Sequence, residues 1–227
     1  MDLLELASFL GRDARELGKL ANRGQLPGRK IGGEWRFTAI EVQNWVEREM
    51  RGWDENELRG IDRPCPTAGY TPLIATLMPL ECIDLNFEAR TKPSAIRKLV
   101  ELADRSDRLW DVDAIREAVE AREASRSTAW SEGFAIPHPH RRLPNAQSES
   151  VIAFARRPSG IAFGADHGGL TDLFFLVCCT DDAEHLRVLS RLSRMLRREG
   201  FANQLREAET PADVRRLIEA AELEILN

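Results

Sequence analysis

The sequence predicts an α/β fold, a three-layer α/β/α sandwich, with a small and separate unit at its N-terminus. Three observations predict it. From residue 72 onward, apolar runs of strand length alternate with amphipathic helical stretches, the pattern of a sheet covered by helices. Residues 1–52 instead hold two short helical stretches, a Gly-Gly hairpin and a third helix. Between them, "RGIDRPCPTAGYTP" (59–72) carries prolines at 64, 66 and 72 and glycines at 60 and 69, a composition that favours extended chain. The expected organisation is a winged helix-turn-helix over 1–52, a Pro/Gly linker over 53–71 and the sandwich over 72–227.

In chain order, "LLELASFLG" reads as a helix ending at Gly11 and "DARELGKLANRG" as a second ending at Gly24. Gly32-Gly33 is a two-residue turn between short strands. Thr38, with Glu41 three residues on, starts a third helix that buries Ile40, Trp45 and Val46. Beyond the linker, "TKPSAIRKLVELADRSD" and "DVDAIREAVEARE" are amphipathic helices. "VIAFARR" and "TDLFFLVCCT" are strands, the second apolar throughout and so buried on both faces. "TDDAEHLRVLSRLSRML" is a helix capped by Asp181, with Glu184 completing the box, and a last helix starts at Thr210-Pro211.

Charge and composition exclude several classes. The net charge is −5, so nothing advertises wholesale attraction to nucleic acid. The longest apolar run, Leu173 to Cys179, is far short of the roughly 20 residues a bilayer requires. No leader with a cleavage site opens the chain, and a cytoplasmic location is expected. Cys65, Cys82, Cys178 and Cys179 lack CxxC spacing; the adjacent pair on a strand points to opposite faces and reads as core packing.

Histidine is scarce, and two of the four stand in "EGFAIPHPHRR". His138 follows a strand-like run and a proline, the kind of strand end where α/β sheets place their sites; a loop histidine bonded to a backbone carbonyl is the alternative. His185 falls in the first turn of its helix on the face of Val188, Leu189 and Leu192. The free N–H groups there favour an incoming anion, although a satisfied core histidine fits as well. Arg122 leans toward the core at its helix end, or is simply a surface arginine. His138-Pro139-His140 also has the spacing of a metal pair, with His185 or Asp166 and His167 as further ligands. No carboxylate lies close in sequence, so no metal and no other cofactor is expected.

"AREASRSTAWSEGFAIPHPH" closely resembles the signature of the mannitol/fructose-type IIA proteins of the bacterial phosphoenolpyruvate-dependent sugar phosphotransferase system, the nitrogen-regulatory branch included. The matching residues are Arg122 and Glu123, Ser127 and Thr128, Gly133, and Ala135-Ile136-Pro137-His138; "EHLRVL" supplies the second histidine, His185. The resemblance runs from about residue 72 to the C-terminus. It implies a type 2 IIA fold with a mixed sheet and a phosphotransferase role. His138 would accept a phosphoryl group from an HPr-like carrier, with His185 and Arg122 stabilising it and a IIB protein or regulatory target as acceptor. The role of His140 is left open.

Gly24-Gln25-Leu26-Pro27-Gly28-Arg29-Lys30-Ile31-Gly32-Gly33-Glu34-Trp35-Arg36-Phe37 resembles the hallmark run of excisionase-like and MerR-like DNA-binding modules. The resemblance implies double-stranded DNA as a partner, with Arg15, Lys19, Arg29, Lys30 and Arg36 contacting phosphates; Arg12 and Arg23 are further candidates. Asp13, Glu16 and Gly18 on the second helix depart from a basic reading helix. Residues 1–52 hold nine Lys/Arg against eight Asp/Glu, so binding depends on patch geometry, and protein docking is the other use of the unit. The expected function is a regulatory IIA phosphocarrier coupled to DNA binding, without membrane insertion. The alternatives are a DNA-binding regulator whose IIA-like domain no longer transfers phosphate and, more distantly, a metal-dependent hydrolase.

Overall fold

The structure, a computed structural model, describes residues 1–62 and 72–226. Helix α1 (Leu3–Leu10) starts at Asp2, whose carboxylate accepts the backbone N–H groups of Leu4 and Glu5 while Glu5 bonds back to Asp2. It ends at Gly11, φ 61°, where a Cβ would lie 2.2 Å from the Gly60 carbonyl oxygen, so only glycine admits the neighbouring chain. Helix α2 (Ala14–Asn22) is capped by Asp13. Strands β1 (Arg29–Ile31) and β2 (Glu34–Arg36) pair antiparallel around Gly32 and Gly33, both at positive φ. Helix α3 (Ala39–Glu49) buries Val42, Trp45 and Val46. Ile40, expected in that core, is 39% exposed, and Val42 takes its place.

A single 3-10 turn (Met50–Gly52) leads into α4 (Glu55–Ile61). The expected linker over 53–71 therefore opens with a helix. Asp54 and Glu57 cap it reciprocally and Leu58 and Ile61 are buried. Pro64, the first residue able to break it, comes later. The rest of the Pro/Gly stretch, 63–71, lies outside the described residues, as does Cys65.

The second unit comprises α5 (Leu73–Leu77), β3 (Ile83–Asp84), α6 (Lys92–Asp104), α7 (Val112–Ser125), β4 (Phe134–Ala135), β5 (Val151–Ile161), β6 (Thr171–Cys178), α8 (Asp182–Leu196), α9 (Phe201–Glu207) and α10 (Pro211–Leu226). The sheet order is β3-β5-β6-β4. β3 is parallel to β5, β5 antiparallel to β6, and β6 parallel to β4, so the sheet is mixed. Strand alternation sorts the core into two layers. Val151, Ala153, Ala155, Phe174, Leu176 and Cys178 face α6 and α7. Ile152, Phe154, Leu173, Phe175 and Val177 face the side of α5, α8, α9 and α10. Cys178 and Cys179 go to opposite layers, and burial pushes the Cys178 thiol up to about 12, which leaves it protonated and inert.

The winged unit does not hang free. Its core residues Leu6, Trp45, Trp53 and Leu58 are continuous with the layer under α8. Arg197 donates to the carbonyls of Met50, Arg51 and Trp53, satisfying acceptors beyond the end of α3. Asp62, buried, accepts from Arg191 at 2.7 Å and Arg194 at 2.9 Å. The face of the winged unit that meets the sandwich includes the C-terminal half of α3. No helix among the described residues is long and apolar enough to cross a membrane.

Candidate active site

Strands β4 and β6 run parallel and end at one edge of the sheet, where α/β folds place their sites. Past β4, the Val177 N–H donates to the Pro137 carbonyl at 2.9 Å, which keeps the chain extended until it reaches His138. The His138 ring is buried, with Nδ1 2.7 Å from the Ile136 carbonyl. A carbonyl only accepts, so Nδ1 carries a proton, and Nε2 is the nitrogen turned into the site, a donor to a carboxylate when protonated and a nucleophile when not.

His185 comes from the other strand end. Asp181 caps α8 through the Glu184 N–H at 2.8 Å, and His185 in that first turn sits with its ring 5.0 Å from that of His138. The expected Glu184 box does not close on the cap, because the Glu184 carboxylate instead bonds Ser150. Arg122 stands at the end of α7, with Nη1 on the Arg126 carbonyl at 2.9 Å. Its neighbour Glu123 turns inward and accepts from the Thr128 N–H at 3.0 Å and the Thr128 hydroxyl at 2.6 Å. The Arg-Glu and Ser-Thr pairs thus divide their work: Glu123 and Thr128 pin the turn into β4, and Arg122 faces the histidines.

At the centre lies a group that sequence reasoning missed. Glu47, on α3 of the winged unit, accepts from Arg122 Nε at 3.2 Å through Oε2, the same oxygen that lies 3.1 Å from His138 Nε2. Its other oxygen is 3.2 Å from His185 Nε2 and accepts from Gln43 Nε2 at 3.2 Å. The Glu47 side chain is 3% exposed. Burial alone would raise its carboxyl; His138 and His185 overcome this and hold it well below the ordinary value of 4.5. Burial in turn lowers the His138 imidazolium below 6.5, with Glu47 pulling upward. Beside the cluster, a cavity of about 40 Å³ remains, space on the scale of water. The arrangement is two imidazoles and a guanidinium converging on one oxyanion. Nothing in the local sequence marks Glu47, one acid among several on its helix.

The other candidates fall elsewhere. Asp166 and His167 stand on an exposed turn (Asp166–Gly168), where Asp166 lies 3.9 Å from Arg51. Glu47, His138 and His185 are the groups among the described residues whose ligand atoms gather closely enough, within 4.8 Å, to hold a metal. The sequence argument against zinc rested on the lack of a nearby carboxylate, and the fold supplies one. Arg122, bonded to that carboxylate, opposes a cation there, so elemental analysis of the purified protein is expected to find well under one zinc per chain.

On the winged unit, Arg15, Lys19, Arg23, Arg29, Lys30 and Arg36 are exposed. Arg29 and Arg36 pair with Glu41 at 3.5 Å and Glu34 at 2.8 Å. Arg12 is not free for DNA, since it pairs with Glu57 at 3.0 Å and lies 5.4 Å over the Trp53 ring.

Comparison with known proteins agrees with this fold. Residues 76–221 match the family described as "Phosphoenolpyruvate-dependent sugar phosphotransferase system, EIIA 2". The chain belongs to that family. Residues 1–50 match a helix-turn-helix domain, so this IIA domain carries a helix-turn-helix unit ahead of it. The IIA part is 38% identical over 143 residues to the fructose-specific EIIA component of Haloferax volcanii, covering 62% of this chain and 91% of that protein. It is 37% identical to the fructose-specific EIIABC component of Bacillus subtilis, of which the chain spans 21%. It is 31% identical to the nitrogen regulatory protein of Bradyrhizobium diazoefficiens, covering 60% of this chain and 85% of that one. Among solved structures, the nitrogen regulatory protein IIA-Ntr of Neisseria meningitidis superposes with a TM-score of 0.59 at 27% identity, covering 64% of this chain and 99% of that one. The Escherichia coli mannitol IIA shares the fold, with a TM-score of 0.54 at 23% identity over 62% of this chain and 97% of that one.

Proposed function

We propose that this IIA domain is a regulatory phosphocarrier whose phosphoryl state sets the position of the attached helix-turn-helix unit. The observation that carries the reading is the Glu47 carboxylate, which places an anion from the winged unit between His138, His185 and Arg122. Those are the groups a phosphoryl oxygen would need. Neutral His138, freed of Glu47, attacks through its unprotonated Nε2 while its Nδ1–H keeps donating to the Ile136 carbonyl. The new N–P bond forms as the bond in the phosphohistidine of an HPr-like carrier breaks, and the donor imidazole leaves with that electron pair. His185 donates to a phosphoryl oxygen and Arg122 offsets the charge, so the chemistry is positioning and electrostatics. Phosphoryl group and Glu47 cannot share the site. The acceptor is a regulatory target or a IIB protein, as in the E. coli complex of mannitol IIA with phosphorylated mannitol IIB. A cytoplasmic setting follows from these partners.

His185→Ala and Arg122→Ala are expected to bind the phosphodonor but transfer more slowly, by roughly 10²–10³ for the loss of one such donor. Single-turnover transfer at the wild-type rate in both would make them structural residues only.

For the winged unit, Arg15 and Lys19 on α2 and Arg29, Lys30 and Arg36 on the hairpin supply contacts to DNA phosphates. Binding then falls steeply with salt, because each neutralised phosphate releases counterions. A Debye length of about 8 Å at physiological salt mutes direct repulsion between phosphohistidine and DNA, so coupling works through release of the docked α3. Phosphorylation is expected to change DNA affinity by roughly five- to 150-fold, the usual span of allosteric coupling. The check is a site selected from random DNA, titrated with both forms at fixed salt. Equal affinities would remove the coupling, and no selectable site would leave the unit as a protein-docking module.

A further inference from the structure

Next to the His138 cluster, between α3 and the end of α7, lies a cavity of about 340 Å³ lined by Asn44, Arg48, Arg51, Arg122, Arg126 and His140, with Glu47 and two serines. That volume is in the range of small-molecule sites. Four guanidiniums face one carboxylate, and that carboxylate is already engaged by His138, His185 and Arg122. Arg126 makes no ion pair within 4.0 Å among the described residues, and Arg48 has only the exposed Glu49 at 3.8 Å. Arg51 is anchored on the Ser127 carbonyl at 2.6 Å and over the Trp130 ring. Burial lowers its pKa, and Arg126 and Arg122 push the same way, while Asp166 opposes them, so the cations are close enough to repel one another.

The helix dipole accounts for Arg122 and Arg126 near the C-terminus of α7. Arg48 is likewise in the last turn of α3, so each dipole explains its own arginines, but neither explains why the two basic helix ends, with Arg51, line one cavity. Two further lining groups lack partners: His140 Nδ1 and Asn44 Oδ1 are buried without a hydrogen bond, a costly state that a bound polar group relieves. His140, two residues beyond His138, lines this second cavity.

We infer that this cavity is a binding site for a phosphate monoester of a small polyhydroxylated molecule, of the size of a sugar phosphate. Guanidinium forks take the phosphate oxygens, and Asn44 and His140 meet hydroxyls. Because each unit contributes half the wall, the site is complete only when α3 is docked, and occupancy stabilises that arrangement by mass action. The ligand is therefore an effector that holds the winged unit closed and slows entry of a phosphoryl group at His138. The binding site rests on the docked arrangement and its effect on His138 on the proposed transfer, so binding and transfer fail separately.

The test is calorimetric titration of the full chain with glucose 6-phosphate, inorganic phosphate and glucose. Glucose 6-phosphate is expected to bind with one site per chain, inorganic phosphate more weakly, and glucose not at all. Arg48→Ala and Arg126→Ala, both at exposed positions, should each weaken glucose 6-phosphate at least tenfold with unchanged thermal midpoints. Arg36→Ala on the wing should bind as wild type. No binding of either anion, undiminished binding in the Arg48 and Arg126 variants, or equal loss in the Arg36 variant would overturn the inference.

Discussion

Incubated with phosphoenolpyruvate, enzyme I and HPr, the wild-type chain is expected to take up one acid-labile phosphoryl group, and His138→Ala to take up none. The expectation rests on where the fold puts each histidine. His138 alone has Nδ1 locked on a backbone carbonyl and Nε2 turned into a cluster of anion-binding groups. His185 stands across the same cluster as a donor, His140 lines the neighbouring cavity, and His167 is on an exposed turn. Mass spectrometry of the intact chain reads the result directly. Undiminished incorporation in the variant would refute the assignment, and label on His140 would move the site two residues along.

Removing the Glu47 carboxylate should have the opposite sign. Glu47→Ala is expected to be phosphorylated at least about tenfold faster than wild type. On the proposed transfer, a phosphoryl group would reach His138 in the wild-type chain only after Glu47 leaves His138, His185 and Arg122. Breaking a buried charge pair by losing one member costs about 3–5 kcal/mol, and about 1.4 kcal/mol is a factor of ten in rate. The upper bound is therefore roughly 10²- to 4 × 10³-fold. The realised gain is smaller because Arg197 and Asp62 still hold the units together. The same variant leaves Arg122 without its anion, so millimolar inorganic phosphate should raise its thermal midpoint by more than it raises that of wild type. Rates equal to or below wild type would show that the carboxylate is not what closes the site.

Most of the scaffold was legible because it is written in local chemistry. Thr38 and Asp181 cap helices where the sequence places them. The Gly-Gly turn needs two positive φ angles and has them. The continuous apolar run over β6 is buried on both faces, as such a run must be. The misreadings are also local. Helical periodicity puts Ile40 in the core, but the pattern leaves open which of two nearby apolar residues turns inward, and Val42 does. The Pro/Gly composition of 59–72 spoke for its prolines and hid α4, whose cap and buried leucine lie upstream of them.

By itself the sequence determined the two folds, the strand end that presents His138, and the convergence of His185 and Arg122 implied by family resemblance. Only the tertiary structure decided what fills that site. Glu47 lies 75 residues from Arg122, 91 from His138 and 138 from His185, and the contacts cross a boundary between units. Helical and strand periodicities report which face of an element is apolar. They carry no information about which acid on a polar face will be carried against a distant cluster of donors. That outcome is set by how α3 packs on α8, and it is the packing that turns a surface glutamate into the anion at the centre of the site.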